Sequence, residues 1–145
     1  MVTSIPGEIF VDHRGTIISL NDFHLEGVER TYTIHHPDHT VVRGWHGHQN
    51  ERKWFHCVRG GFVMAFVKID DWENPSPDLK PEIFHISDKK SEVLCVPKGY
   101  ANCIKATEPG SILQVWSDKQ LPVALLDSWR WPSSNWVDWS VYADR

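Results

Sequence analysis

The sequence predicts an all-β fold, a sandwich, jelly roll or small barrel built as one domain. Short runs rich in β-branched and aromatic residues recur along the chain, with turn signals roughly every 8–12 residues. No helical period is sustained before residue 120. A chain of 145 residues with 41% hydrophobic content is long enough to bury a core as a single unit, and no repeat, low-complexity tract or linker divides it.

The elements follow in order. Residues 8–20 read as a hairpin, with the turn residues Asp12-His13-Arg14-Gly15 between two β-branched pieces. On residues alone, Arg14 is a solvated turn residue. Glu29 to His36 alternate as a strand that puts Tyr32, Ile34 and His36 on one face. After the loop Pro37-Asp38-His39-Thr40, strand character runs through Val42–His48 and again from Lys53 to Val58. Arg59-Gly60-Gly61 is a tight turn from which Phe62–Ile69 is expected to pair back. That run is apolar on both faces, as a strand buried between two layers is. A proline-rich loop spans Asp70 to Pro81, and short strands follow at Glu82–Ile86 and Glu92–Val96. Tyr100–Ala106 and Ser111–Trp116 are expected to form a further pair. The Trp-rich tail, about residues 121–145, shows no regular period and reads as a short irregular or helical segment packed on the barrel or on a neighbouring subunit.

Composition excludes several classes. The net charge of -4 and the lack of a basic stripe argue against a nucleic-acid partner. No run approaches the roughly 18–20 apolar residues of a membrane helix. The start, Met1–Pro6, lacks the features of a secretory signal. Cys57, Cys95 and Cys103 lack metal-type spacing and read as small core residues of a cytoplasmic protein.

The chemistry concentrates in Val42-Arg43-Gly44-Trp45-His46-Gly47-His48, with Lys53 close behind. On a strand His46 and His48 share a face. Gly44 makes a bulge plausible, which would turn Arg43 toward that face. Two imidazoles beside cations suit either a metal site or acid/base work on an anionic substrate. In the second reading a histidine removes a proton next to a ketone, Lys53 stabilises the enolate, and Arg43 and Arg14 offer forked donors to a diphosphate. A further group, His35, His36 and His39, reads as surface histidines.

Four motifs now resemble one family. Phe10-Val11-Asp12-His13-Arg14-Gly15 is similar to the "F-x-D-x-R-G" of the dTDP-4-dehydrorhamnose 3,5-epimerases. Arg43-Gly44-Trp45-His46 is similar to their "R-G-L-H", Lys53 to Gly60 to their "K-L-V-x-x-x-x-G", and Val96 to Asn102 to their "I-P-x-G-F-A-H". The resemblance implies a cupin jelly roll, usually a homodimer, acting without metal or other cofactor. The implied substrate is a nucleotide-diphosphate 4-keto-6-deoxy sugar, expected to be dTDP-linked, in carbohydrate biosynthesis. It assigns His46 as general base, Arg14 and Arg43 to the diphosphate or sugar, and Lys53 to the enolate. Gln114 aligns with the family's acid Tyr, Asn102 with a His, and Pro132 or Ser133 with the Asp that partners the base. Asn102 and Gln114 are therefore expected to bind substrate rather than move protons, and double epimerisation is not expected. The cupin metal pattern, two His followed by a Glu such as Glu51 and a distant His, likewise meets Asn102 at its last position.

A sister group, the sugar-nucleotide 3,4-ketoisomerases, resembles the chain through "R-G-x-H-x-H" at Arg43–His48 and "R-x-Y" at Arg30-Thr31-Tyr32. That resemblance implies that His46 and His48 shuttle protons between neighbouring carbons with help from Tyr32. A sugar-nucleotide-binding cupin without activity is the remaining reading.

Overall fold

The computed structural model describes residues 1–142 and is built almost entirely of antiparallel strands. The strands are β1 (Thr3–Pro6), β2 (Glu8–Asp12), β3 (Gly15–Ser19), β4 (Arg30–His36), β5 (Val42–His48), β6 (Lys53–Arg59), β7 (Gly61–Lys68), β8 (Glu82–Ser87), β9 (Glu92–Val96), β10 (Tyr100–Ala106), β11 (Ser111–Ser117) and β12 (Trp129–Arg130). A short helix α1 (Leu121–Leu125) and a 3-10 turn at Trp139–Tyr142 complete the described chain. Two five-stranded sheets face each other, ordered β1-β9-β6-β11-β4 and β12-β5-β10-β7-β8, with β2-β3 as a separate hairpin. The expected all-β jelly roll is what forms.

Two expected pairings are not found. Strand β7 does not pair back on β6, because the Gly60–Gly61 turn carries the chain from the first sheet to the second. Strands β10 and β11 likewise lie in opposite sheets, where β10 pairs with β5 and β7, and β11 with β4 and β6. The physical reason is burial. Strands β6 and β7 are apolar over most of their length, and a flat two-stranded ribbon would leave one apolar face in water. Crossing between layers buries both faces.

The main core lies between the sheets, with Phe55, Leu94, Leu113 and Val115 meeting Phe62, Met64, Phe66 and Ile104. A second core covers the outer face of the β5-β10-β7 sheet, where Trp45, Ala65, Val67, Ala101 and Cys103 are roofed by Trp72, Trp131, Trp136 and Trp139. The tail thus packs on its own barrel. Trp45 Nε1 donates to Asn135 O at 2.8 Å, and Trp136 packs edge-on against the Trp45 ring. Gly47 is required for this roof, because a Cβ there would sit 2.6 Å from the Trp131 ring. Trp129-Arg130-Trp131 alternates as a strand, so its tryptophans pack against Trp72 while Arg130 faces the other way.

The histidines of the 35–39 segment divide. His35 is exposed, whereas His36 is 2% exposed and its ring meets Phe62 edge-on. The surface reading fails for His36 because alternation places it on the inner face with Tyr32 and Ile34. Burial, followed by the nearby Arg43 charge, lowers its pKa. Cys57 and Cys103 are buried, and burial pushes both thiols up to about 12, so they are core residues. Among the described residues no helix is long and apolar enough to cross a membrane.

Candidate active site

One cavity of about 370 Å³ opens between the two sheets at the end closed by α1. The first sheet supplies Arg30, Tyr32 and Ile34 from β4 and Lys53 and Phe55 from β6. The second supplies Arg43, His46 and His48 from β5, Asn102 and Ile104 from β10, and Arg130 from β12. Leu121, Ala124, Leu125 and Ser128 form the rim. Its charged lining is cationic, which suits an anionic ligand.

The bulge expected at Gly44 is present. His46 pairs with Asn102 while Gly44 pairs with Cys103, so Trp45 is the extra residue. A side chain on Gly44 would lie 2.6 Å from Asn102 O, and its φ of +128° favours glycine. Past the bulge, Arg43 joins His46 and His48 at the same cavity, and buried Trp45 points into the roof instead.

The two imidazoles lie side by side, with ring centroids 4.3 Å apart. His48 Nδ1 hydrogen-bonds the main-chain oxygen of Asp127 at 2.9 Å, and a carbonyl accepts only from a protonated nitrogen. Nδ1 therefore carries the hydrogen and Nε2 the lone pair. Nε2 is buried and has no partner among the described residues, so it is the nitrogen free to act as a base. His46 Nε2 is 2.9 Å from Ser128 Oγ. Burial, with the cations Lys53 and Arg30 adding to it, pushes the His48 pKa down to about 4, against the raising influence of Asp127. Burial, then His48, Lys53 and Arg130, pushes His46 down to about 3. Both rings are neutral at pH 7 and able to accept a proton.

Across the cavity Lys53 Nζ donates to Tyr32 OH at 2.9 Å, and the Arg30 guanidinium lies 4.8 Å from the centre of the same ring. The substrate space thus has imidazoles on one wall and a phenol–ammonium pair on the other. The Asp127 carboxylate accepts the amides of Gln49 and Asn50, each at 2.8 Å, which ties the segment after α1 to the end of β5.

Of the sequence-expected residues, His46, His48, Lys53, Tyr32, Arg43 and Asn102 meet in this cavity. Gln114 does not. It lies on the outward side of β11, whose inward residues are Leu113 and Val115, and its amide donates to Tyr32 O at 3.2 Å and to the Thr31 hydroxyl. Arg14 does not either, since it sits at the exposed tip of the β2-β3 hairpin, paired with Asp12 at 2.7 Å. The acidic residues beside His48 are Asp127, which meets it through its main-chain oxygen, and Glu51, whose Oε1 lies 3.1 Å from Nδ1; neither is position 132 or 133. Among the described residues no three His, Cys, Asp or Glu side chains are grouped to hold a metal ion. Ser128 and Arg130 were not singled out in the sequence, whereas Arg30 entered only through the R-x-Y resemblance and Glu51 only as the Glu of the cupin metal pattern. The Trp129-Arg130-Trp131 alternation is the one local signal that could have pointed to Arg130.

No family model and no curated protein matches the chain. Solved structures do. The sugar 3,4-ketoisomerase QdtA from Thermoanaerobacterium thermosaccharolyticum, in complex with TDP, superposes over 99% of this chain and 92% of that one, at 20% identity and a TM-score of 0.70. It shares their jelly roll. The rmlC epimerase of Mycobacterium tuberculosis matches over 95% and 74% of the two chains, at 19% identity and a TM-score of 0.76. ChmJ, a 3'-monoepimerase from Streptomyces bikiniensis in complex with dTDP-quinovose, matches over 84% and 66%, at 18% identity and 0.68. At these identities the likeness is one of fold.

Proposed function

We propose that the protein is an isomerase of a nucleotide-diphosphate 4-keto-6-deoxy sugar, acting without a metal or other cofactor. The observation that carries this reading is a pair of neutral imidazoles, 4.3 Å apart, in a cavity ringed by Arg30, Arg43, Lys53 and Arg130. The cations suit a diphosphate, and Arg43 and Arg130 offer forked donors. Structural neighbours were solved with TDP, with TDP-4-keto-6-deoxyglucose and with dTDP-quinovose, which supports a dTDP-linked substrate.

The chemistry that fits best is 3,4-keto isomerisation. A C3 proton next to the 4-ketone passes to the histidine pair, and its electron pair forms the C3=C4 enediolate with the charge on O4. Lys53, beside Tyr32, stabilises that oxygen. The proton is then delivered to C4, while the O3 hydroxyl proton moves to O4's former charge and leaves a 3-ketone. Two adjacent bases on one wall serve neighbouring carbons on one face of the sugar. A second reading, epimerisation, is favoured by Tyr32 on the opposite wall, where a phenol could return the proton to the other face. Gln114, outside the cavity, cannot supply that acid.

The test is incubation with dTDP-4-keto-6-deoxyglucose in deuterated water, followed by NMR. A 3-keto product with deuterium at C4 supports isomerisation. Deuterium at an inverted C3 in a 4-ketone supports epimerisation, and label at both C3 and C5 supports the double reaction. Binding with neither exchange nor conversion of the substrate overturns the enzyme reading and leaves a sugar-nucleotide-binding protein.

The exposed apolar residues Ile9, Phe10, Val11, Ile17 and Ile18 of the β2-β3 hairpin support a homodimer, since a free two-stranded ribbon gains little stability alone. Three free cysteines are what a reducing compartment allows, which supports a cytoplasmic location.

A further inference from the structure

Glu51 is a buried carboxylate that the proton transfer just described leaves unused. Its side chain is 0% exposed. Oε2 is held, accepting from Arg30 Nη2 at 3.1 Å and from the Ser117 hydroxyl. Oε1 is buried and receives no hydrogen bond among the described residues, yet it lies 3.1 Å from His48 Nδ1. The Nδ1 hydrogen points instead at Asp127 O. Leaving a carboxylate oxygen buried without a donor is unfavourable. The arrangement is therefore one that a charge on the neighbouring ring would relieve.

We propose that Glu51 is the positioning residue of His48: its free oxygen supplies the counter-charge for the imidazolium formed when Nε2 takes the substrate proton. His48, rather than His46, is then the ring that holds the proton between removal and return. The inference rests on the proton-transfer reading above.

The surroundings make the asymmetry plain. The charged and titratable groups around His48 are Arg30 and Tyr32 of β4, His46 of β5, Lys53 of β6, Asp127 after α1, Arg130 of β12 and Glu51 itself. The cations among them oppose a positive imidazole. Asp127 offers a main-chain oxygen but commits its carboxylate to the Gln49 and Asn50 amides. Glu51 alone places a carboxylate oxygen against the ring. At His46 the side chain in hydrogen-bond contact is the neutral Ser128 hydroxyl, and the Glu51 charge acts on that ring only as the last of its influences, without a contact. Once Nε2 is protonated, the Nδ1 hydrogen becomes a stronger donor that Asp127 O and Glu51 Oε1 can share. Arg30 and Ser117 hold Glu51 from the far side and keep Oε1 aimed at the ring.

The test is a titration, read by NMR of protein carrying 15N-labelled histidine, in the wild type and in Glu51→Gln. Glutamine retains the size of the side chain but not its charge. The His48 transition is expected to move down by about one pH unit or more in the variant. In the same variant kcat is expected to fall by about 10- to 100-fold with KM within about threefold, the pattern of a group that acts on the transition state. Glu51→Asp, which keeps the charge, is expected to recover part of the shift. Ser117→Ala removes a donor from Glu51 and leaves more of its charge for the ring, so its His48 transition is expected to rise. A Glu51→Gln transition unchanged within a few tenths of a unit overturns the proposal. If Glu51→Gln does not fold, absence of a rise in Ser117→Ala overturns it instead. The titration needs no substrate. A protein that shifts as expected but neither exchanges deuterium nor converts the substrate would refute the isomerase reading and leave the His48–Glu51 coupling standing.

Discussion

Acidification from about pH 7 to about pH 4.5 is expected to cost the folded protein about 2 kcal/mol through His48 alone. The folded state holds this ring at a pKa of about 4, against 6.5 for an unperturbed histidine. Between those values the unfolded chain binds the proton and the folded chain does not, so stability falls as the pH drops from 6.5 toward 4. Integrating proton binding over that interval gives about 2.4 kcal/mol. His46, with its pKa at about 3, and His36, whose pKa is also lowered, act in the same direction. The share of His46 is reduced by solvent screening at the cavity. The carboxylates Asp12, Asp38, Asp70 and Asp138 are lowered from an ordinary value of 3.8, so they contribute below this window. Urea unfolding at the two pH values, followed by tryptophan fluorescence, measures the loss. His48→Asn isolates the His48 part, because the asparagine amide can still donate to Asp127 O. The wild type should lose about 2 kcal/mol more than the variant, roughly a 1 M difference in the midpoint shift. Equal losses in the two proteins would refute the assignment of a buried neutral ring.

Three further outcomes follow from the geometry. Gly44→Ala should destabilise the protein by about 3 kcal/mol, because the new methyl meets Asn102 O and the Cys103 backbone at a positive φ; thermal unfolding reads it. Asp127→Ala should cost about 2–4 kcal/mol by stranding the Gln49 and Asn50 amides, and faster hydrogen exchange at those two amides should accompany the loss. Replacing Phe10 and Val11 with Asp should turn a dimer into a folded monomer by light scattering, and a variant that remains dimeric would remove the hairpin from the interface.

The sequence made the strands legible because alternation and turn chemistry are local. The pairings were not legible. A glycine turn such as Gly60–Gly61 closes a hairpin or carries the chain across layers with the same residues, and only the burial of both faces of β6 and β7 decides between them. The site followed the same division. His46 and His48 were readable because strand spacing puts them on one wall, and Arg43 through the bulge that Gly44 signals, while Lys53 reaches the cavity from the opposite sheet. Arg14 and Gln114 lie outside this chain's cavity, a placement their motif matches could not foretell because a motif carries no information about the direction a side chain takes. Ser128 and Arg130 reach the histidines through packing about 80 residues distant in sequence. No local pattern encodes that distance.

The tryptophan roof bears on when the site comes into being. The strands that supply the main core, β4 and β6 to β11, all precede residue 118 in synthesis. The rim and one cation of the cavity arrive later, when Trp131 pairs with the Trp45 backbone and brings Arg130 and Ser128 alongside His46. A nascent barrel can therefore close its core while its cavity still lacks a wall, and the chain must extend past Trp131 before the histidines are enclosed.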